Sequence, residues 1–249
     1  MSSYPGDSVL SSADAEFISD NVKRVIENVS EAAVRAGRRP EDITIVAASK
    51  MNGCERVRRA AEAGITVCGE NRVQEMLEKN ALGAYDGCRL HLIGHLQKNK
   101  VKNVVGLAEL IQSVDSIALL EAVSRAALVK GIVQDVLLEV NIADEPSKSG
   151  FPVSGLSAAL DAAETLDGIK VRGLMAIPPV CEKSEENLPY FQKMYKLFVD
   201  IGSKKYDNSN MDFLSMGMSN DYMTAIECGS SMVRIGTGIF GPRNYPVVT

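Results

Sequence analysis

The sequence has no tryptophan, only two histidines, and five cysteines that are odd in number and scattered. No two cysteines show C-x-x-C spacing, and no paired histidine cluster accompanies them, so a disulfide framework and a structural zinc site are both disfavoured. A catalytic Cys–His pair is disfavoured too. Cys88 lies near His91 and His95 in sequence, but it starts the predicted strand that His95 ends, which separates their side chains by most of a strand length.

Long apolar runs are also missing. No run approaches the ~20 residues that a membrane helix needs, and residues 1–7 lack the basic and apolar regions of a secretion signal. The net charge of −5 and the sequence pI near 5.2 argue against a general nucleic-acid or anionic-membrane surface. We therefore expect a cytoplasmic protein that binds neither nucleic acid nor membrane.

What the sequence does contain is a regular alternation of short apolar runs and amphipathic segments. The runs predict strands at 43–50, 65–71, 90–95, 110–115, 136–141, 171–176, 213–217 and 232–236. Helical patterns lie between them, at 55–63, 72–82, 98–106, 117–129, 153–166, 187–201 and 222–228. Eight strands at roughly 25 residues per unit match a compact (β/α)8 TIM barrel. An open doubly wound sheet is the alternative, but no G-x-G-x-x-G follows the first strand.

An extra helix precedes the first strand. Apolar residues recur at spacings of three and four from Ser12 or Asp14 to near Gly37, which predicts an amphipathic helix. We expect it to pack across the outside or the bottom of the barrel. The predicted organisation is a flexible tail over residues 1–12 and one barrel domain over 13–249.

Lys50 is the anomaly of the first strand, because it ends an apolar and largely β-branched run. A buried ammonium is costly unless it is paired. Such a lysine therefore either extends its amine into solvent or is held at a site for its amine chemistry.

Polar residues cluster at the other strand ends as well. Chemistry in a (β/α)8 barrel gathers at the carboxyl ends of the strands, so these residues are the site candidates. The first six ends carry Lys50, Asn71, His95, Ser113 with Asp115, Asn141 and Met175, and the last two are followed by segments 215–219 and 234–238.

The last two segments have the composition of a phosphate site. Barrels often bind phosphate through backbone N–H groups of the loops after strands seven and eight. Gly217 and Gly236 would let the backbone approach an anion, Ser219 is a candidate helix N-cap, and Thr237 with Gly238 would extend a nest of N–H donors. The alternative is that the glycines only serve tight turns.

A phosphate loop and a lysine at one barrel mouth suggest a phosphorylated carbonyl compound held as a Schiff base. A sugar-phosphate aldolase and a protein that holds pyridoxal phosphate both fit. The lysine's place on the first strand favours the second by fold-level analogy. Arg234 alternates with Val233 and Ile235 and is expected to face the mouth, where a guanidinium would keep a pyridine nitrogen unprotonated. Its alternative is an ion pair with Asp115 or Glu139.

Segments 46–50, 69–75, 91–100, 215–221 and 232–241 resemble the pyridoxal phosphate homeostasis protein family. The resemblance implies a single barrel of the alanine-racemase N-terminal type and pyridoxal 5'-phosphate held by Lys50 as a lysine aldimine. It also places Arg234 near the pyridine nitrogen. With the strand-end residues, the candidate cofactor-binding set is Lys50, Asn71, Met175, Ser215, Met216, Gly217, Met218, Arg234, Gly236 and Thr237.

The implied role is homeostasis and delivery of the cofactor inside the cell, by a monomer whose recipients would be apo forms of pyridoxal-phosphate enzymes. The alternative is a low-activity amino-acid racemase, with Lys50 as a catalytic residue. A racemase needs a second base opposite this lysine. Tyr222 and His95 are the nearest candidates, and neither is convincing from the sequence.

Overall fold

The computed structural model describes residues 10–145, 148–179, 181, 183–204 and 206–242. Most of the predicted tail, residues 1–9, lies outside the described residues, as do residues 243–249 of the predicted barrel domain. None of the helices within the described ranges is long and apolar enough to span a membrane.

Eight parallel strands form a closed barrel in chain order, with β1 paired to β8. They are β1 Thr44–Ala48, β2 Val67–Glu70, β3 Arg89–Leu92, β4 Leu110–Val114, β5 Gln134–Val140, β6 Ile169–Ala176, β7 Ser209–Met218 and β8 Met232–Ile235. Each predicted strand overlaps an observed one, so the predicted (β/α)8 barrel is confirmed and the open-sheet alternative is excluded.

Helices cover the outside of the barrel. They are α1 Ser12–Arg35, α2 Cys54–Glu62, α3 Val73–Ala81, α4 Val101–Val104, α5 Ile117–Val129, α6 Leu156–Ala163, α7 Leu188–Gly202, α8 Tyr222–Glu227 and α9 Thr237–Phe240. Short 3-10 turns lie at Pro40–Asp42, Lys98–Lys100, Val153–Gly155 and Ser184–Asn187.

Two helical predictions were wrong in detail. The helix predicted over 98–106 is a 3-10 turn followed by the short α4, which ends before Gly106, a glycine with a left-handed φ of 75°. The segment after β8, predicted as a loop, forms α9. Its glycines had been interpreted as part of a phosphate-binding loop or a tight turn.

Helix α1 packs on the outside of the barrel, which is one of the two positions predicted for it. Ser11 caps it, accepting a hydrogen bond from the backbone N–H of Asp14 at 3.1 Å. Its apolar face, including Ile18 and Val22, is buried, and it contacts α2, α8 and α9. Asn21 donates a hydrogen bond to the Ile239 carbonyl at 3.0 Å, which ties α1 to the segment that follows β8.

The hydrophobic core has two parts. The larger part lies between the strands and the helices. The smaller part fills the barrel interior with Val46, Val67, Ile93, Leu110, Leu137, Met175 and Met232. Because alternate residues of a strand face opposite sides, the register of Arg234 beside Val46 on β1 turns the arginine side chain inward, as predicted.

Candidate functional site

Two adjoining cavities open at the carboxyl ends of the strands, where β1 meets β8. Their volumes are about 310 Å³ and 210 Å³, and they share Ala48, Lys50, Gly236 and Thr237 as lining residues. The smaller cavity is also lined by Met218, Ser219 and Arg234, and the larger one extends toward α2 and α9. Residues from both ends of the chain therefore enclose one space.

Lys50 follows β1 in a tight turn. The backbone N–H of Asn52 donates to the Ser49 carbonyl at 3.1 Å, and the Asn52 side chain donates to the Lys50 carbonyl at 3.1 Å. Met51 adopts a left-handed φ of 62°, which is uncommon for a residue other than glycine and indicates a conformation imposed by its surroundings. The turn fixes the backbone on both sides of the lysine.

A buried cluster of charged side chains anchors this turn through hydrogen bonds and ion pairs. The Lys79 ammonium lies 2.7 Å from the Ser49 carbonyl, 2.8 Å from Glu70 and 2.7 Å from Glu75. Ser49 donates its hydroxyl to Glu70 at 2.7 Å, and the backbone N–H of Met51 donates to Glu75. Residues 49 and 51 are both anchored to α3 and β2, so the backbone at Lys50 has little freedom.

Electrostatics in the cluster are finely balanced. Burial raises the pKa of Glu70, Lys79 opposes that change, and the neighbouring Glu75 adds to it. Tyr85 donates its hydroxyl to Glu70 at 2.9 Å, and burial raises the pKa of this phenol as well. Reasoning from the sequence missed the cluster. Its one local signal was the i,i+4 spacing of Glu75 and Lys79 on a predicted helix.

The loops after β7 and β8 converge on Ser219. Its hydroxyl oxygen accepts hydrogen bonds from the backbone N–H groups of Gly236 and Gly238, each at 3.2 Å. The prediction that Ser219 caps a helix was wrong, because α8 begins after Asp221. Asp221 instead accepts from the Met218 N–H at 2.7 Å. Of the predicted nest, the N–H groups of Gly236 and Gly238 converge on this serine oxygen.

The two glycines expected to approach an anion play different parts. A Cβ on Gly217 would lie 2.5 Å from the Ala225 Cβ, and its φ is 93°. Gly217 therefore allows α8 to pack against β7. A Cβ on Gly236 would meet only Ala48, at 3.5 Å or more. Gly236 lines both cavities, whereas Gly217 lines neither.

Arg234 is buried beneath the smaller cavity, with 4% of its surface exposed. One terminal nitrogen donates to the Ser215 hydroxyl at 2.6 Å, and the other donates to the Ala176 carbonyl at 2.9 Å. Burial lowers the pKa of Arg234 to about 10, while Glu139 and Asp221 oppose the change, so the guanidinium stays charged at neutral pH. Within the described part of the chain no ion pair joins Arg234 to Asp115 or Glu139.

The predicted site residues fall into two groups. Lys50, Met218, Arg234, Gly236 and Thr237 line the smaller cavity. The others do not line it: Met175 and Ser215 are buried inside the barrel, Met216 is buried toward the helices, Gly217 packs against α8, and Asn71 lies on the β2 side of the mouth. The Asn71 side-chain oxygen is buried and has no hydrogen-bond partner among the described residues.

Sequence reasoning also missed a buried polar pair on the cavity wall. Asn187 donates to Asp221 at 2.8 Å, and both residues line the smaller cavity. The pair joins the start of α7 to the loop after β7. Asn187 stood at the start of a predicted helix, and nothing local to it indicated a partner so far along the chain.

A second group of titratable side chains lies across the mouth, after β3, β4 and on β5. The His95 Nδ1 is 3.0 Å from Asp115, and the His95 side chain is 57% exposed. Glu139 on β5 is only 8% exposed. Burial and then the nearby Asp115 raise the pKa of Glu139 to about 7, against the opposing effects of Arg234 and His95.

Comparison with known proteins places this geometry in context. The model of the alanine racemase N-terminal domain matches residues 21–244. The pyridoxal phosphate homeostasis protein of Aquifex aeolicus is 41% identical over 227 residues, which are 91% of this chain and 98% of that protein. The protein of the same name from Escherichia coli K12 is 36% identical over 232 residues, 92% of this chain and 97% of its own.

Solved structures give the same picture. An unknown protein from Bifidobacterium adolescentis superimposes with a TM-score of 0.86 at 35% identity, covering 94% of this chain and 99% of that one. PipY of Synechococcus elongatus PCC7942, solved with PLP bound, has a TM-score of 0.74 at 31% identity, over 86% of this chain and 100% of its own. An alanine racemase of Clostridium difficile 630, at 15% identity and a TM-score of 0.65, shares the fold over 92% of this chain and 58% of its own.

The raised pKa of Glu139 predicts how the free energy of unfolding depends on pH. A carboxyl whose folded-state pKa of about 7 exceeds its ordinary value of 4.5 ionises in the unfolded chain before it ionises in the folded protein, so the protein loses stability as the pH rises from 4.5 to about 7. Glu139→Gln removes the titration. The stability of this variant relative to wild type, measured by urea unfolding, should therefore increase by about 1–3 kcal/mol between pH 5 and pH 8.

The exposed Glu16 supplies a matched control. Glu16→Gln makes the same chemical change at the surface, so the effect of the mouth on Glu139 is read from the difference between the two variants. A Glu139→Gln stability that changes with pH no more than that of Glu16→Gln would show that the mouth does not perturb this carboxyl.

Proposed function

The chain belongs to the family of pyridoxal phosphate homeostasis proteins, and from that membership we propose that it binds pyridoxal 5'-phosphate in the mouth cavity and holds it through Lys50. The observation that carries the proposal is the meeting of an amine, a nest of N–H donors and a buried guanidinium on one cavity. The amine would bind the cofactor's aldehyde, the N–H donors its phosphate and the guanidinium its ring nitrogen.

The residues present fit the group. When bound, pyridoxal phosphate supplies an aldehyde that condenses with a primary amine and releases water. Lys50 brings that amine to the wall shared by the two cavities. PipY of Synechococcus elongatus, a relative at 31% identity, was solved with PLP bound, which supports the same ligand here.

The loop after β8 would hold the phosphate. Gly236 and Gly238 direct their N–H groups to one point, at present the Ser219 oxygen. An anion that displaces the Ser219 side chain from this point would accept hydrogen bonds from both N–H groups and from the serine hydroxyl, because phosphate oxygens accept several hydrogen bonds at once. The exposed Thr237 hydroxyl lies between the two glycines and adds a further donor.

Arg234 favours holding the cofactor over reacting with it. A guanidinium donates hydrogen bonds and keeps its proton. Against the pyridine nitrogen it would leave that nitrogen unprotonated, so the ring would accept electrons poorly. We therefore propose a binding protein for cofactor homeostasis.

Covalent trapping tests the role of Lys50. Wild-type protein saturated with pyridoxal phosphate should be yellow and lose its colour on borohydride reduction, and a pyridoxyl group should then be found by mass spectrometry on the peptide containing Lys50. Lys50→Ala should lose this label. Lys98→Ala, which removes an exposed lysine outside the cavity, should keep it. A wild-type protein that stays colourless in excess cofactor would end the proposal.

Delivery is the finer part of the proposal. We propose that a cytoplasmic monomer passes the cofactor to apo forms of pyridoxal-phosphate enzymes. Holoprotein mixed with such an apoenzyme should then lose its cofactor faster than holoprotein diluted into buffer that contains only a chemical trap. Absorbance at the bound-cofactor maximum measures both rates, and Lys50→Ala controls for loosely bound cofactor. Equal rates would reduce the role to storage.

A second candidate is a low-activity amino-acid racemase, which His95 and Asp115 favour because a carboxylate-paired imidazole at the mouth can accept a proton. Tyr222 is less suitable, since its hydroxyl accepts from Asn28 against α1. We expect α-deuterated D- and L-alanine to lose deuterium no faster with wild type than with Lys50→Ala, as followed by proton NMR. Rapid exchange that needs both Lys50 and His95 would instead favour the racemase.

A further inference from the structure

A chain of buried polar side chains crosses the barrel interior beneath the cavity. It begins at Arg234 on β8, which donates to Ser215 on β7 at 2.6 Å. Ser215 donates its hydroxyl to the Gln112 side-chain oxygen at 2.7 Å. The Gln112 amide nitrogen lies 2.9 Å from the His91 Nδ1. The chain joins β7 and β8 to β3 and β4, on the opposite side of the barrel.

The donor and acceptor roles along this chain are fixed by chemistry. A guanidinium has only donors, so the Ser215 oxygen accepts from Arg234, and the single Ser215 proton is donated to the Gln112 oxygen. Gln112 therefore presents its oxygen to Ser215 and its N–H to His91. The His91 Nδ1 must accept that hydrogen bond, which leaves the ring proton on Nε2. One direction of hydrogen bonding runs from Arg234 to His91.

Burial agrees with a neutral imidazole at the far end. His91 is 2% exposed, and burial, followed by the charge of Arg89, lowers its pKa to about 3. Its Nε2 has no hydrogen-bond partner among the described residues and lies 4.0 Å from Glu109. Protonation of Nδ1 would place two donors face to face at Gln112, so the intact chain also keeps the imidazole neutral.

Such a chain costs free energy unless all its bonds are made. It shares the barrel interior with buried apolar side chains, including Leu110, Leu137 and Met232, and buried polar groups in such surroundings are strongly penalised when unpaired. An all-apolar interior would pack the barrel as well. The one member of the chain that lines the cavity is Arg234, whose guanidinium carries more N–H donors than its contacts to Ser215 and Ala176 use.

We propose that Gln112 and His91 are positioning residues for Arg234. They hold the Ser215 proton away from the guanidinium, and so fix the plane in which the remaining N–H groups of Arg234 contact the cofactor ring. The inference rests on the proposed function, since it assigns Arg234 a ligand. It adds two residues that lie outside both cavities and outside the predicted site.

Isotope-labelled histidine tests the direction of the chain without any cofactor. The sequence has only two histidines, so His95→Gln leaves a single imidazole signal. In ligand-free protein, nitrogen-15 NMR should show His91 as the neutral Nε2–H form, unchanged from pH 8 to pH 5. A proton on Nδ1, or a titration near pH 6.5, would overturn the proposed direction.

Two substitutions at Gln112 test the positioning. Gln112→Met removes the acceptor for Ser215 and should weaken pyridoxal phosphate binding about tenfold, with a shift of the bound-cofactor absorbance that reports the changed contact at the ring nitrogen. Gln112→Glu keeps an oxygen for Ser215. It should recover most of the affinity while the NMR signal of His91 moves to the Nδ1-protonated form.

Gln134→Met is the matched control. Gln134 is also a buried glutamine, but it bonds to the Ala108 and Glu109 carbonyls, outside the chain. Its replacement should lower stability and leave affinity and absorbance unchanged. If wild type binds the cofactor and Gln112→Met binds it with the same affinity and absorbance, this inference alone is overturned. A wild type that takes up no cofactor overturns the proposed function, and the ligand assigned to Arg234 fails with it.

Discussion

Closure of the barrel through the pairing of β1 with β8 is the constraint on which the site depends. The register places Val46 beside Arg234 and Ala47 beside Ile235. Residues that follow these two strands, Lys50 and Gly236, then line one cavity although they stand near opposite ends of the sequence. In an open sheet they would lie at distant edges. The driving force is the burial of the apolar faces of β1 and β8 between the barrel interior and the helices, so the cavity is a by-product of folding the whole chain.

Fine positioning comes from buried charge. Glu70, Glu75 and Lys79 are all buried, and their contacts anchor the backbone on both sides of Lys50. Removing one partner from such a cluster typically costs ~3–5 kcal/mol, whereas apolar residues of the same size would stabilise the fold as well. The cluster is thus explained better by the turn that it fixes than by stability. It keeps the backbone of Lys50 at a set place on the mouth.

The sequence predicted those features that are local or periodic. Eight apolar runs predicted eight strands, and α5 lies at its predicted bounds because Ile117–Val129 carries a complete helical pattern before a left-handed Gly131. Features that depend on distant partners could not be predicted. Ser219 read as a helix cap because its bonds to Gly236 and Gly238 come from another loop. Gly217 read as part of a phosphate loop because its close neighbour Ala225 lies on a helix that packs back on β7. Nothing in the sequence near Lys79 or Gln112 indicated which residues on strands elsewhere in the barrel would contact them.

The polar groups near the cavity share a property that bears on what the protein does. Arg234 keeps its proton, Ser219 stands at the focus of two backbone donors, and His91 is neutral and buried beneath the site. Groups of this kind hold and orient a ligand, whereas catalysis of proton transfer needs a group that titrates near neutral pH and reaches the reacting atom. Glu139 titrates in that range, but it lies across the mouth and lines neither cavity. The groups that line the cavity are thus suited to holding a ligand, and a catalytic function would require Glu139 or His95 to reach a ligand bound there.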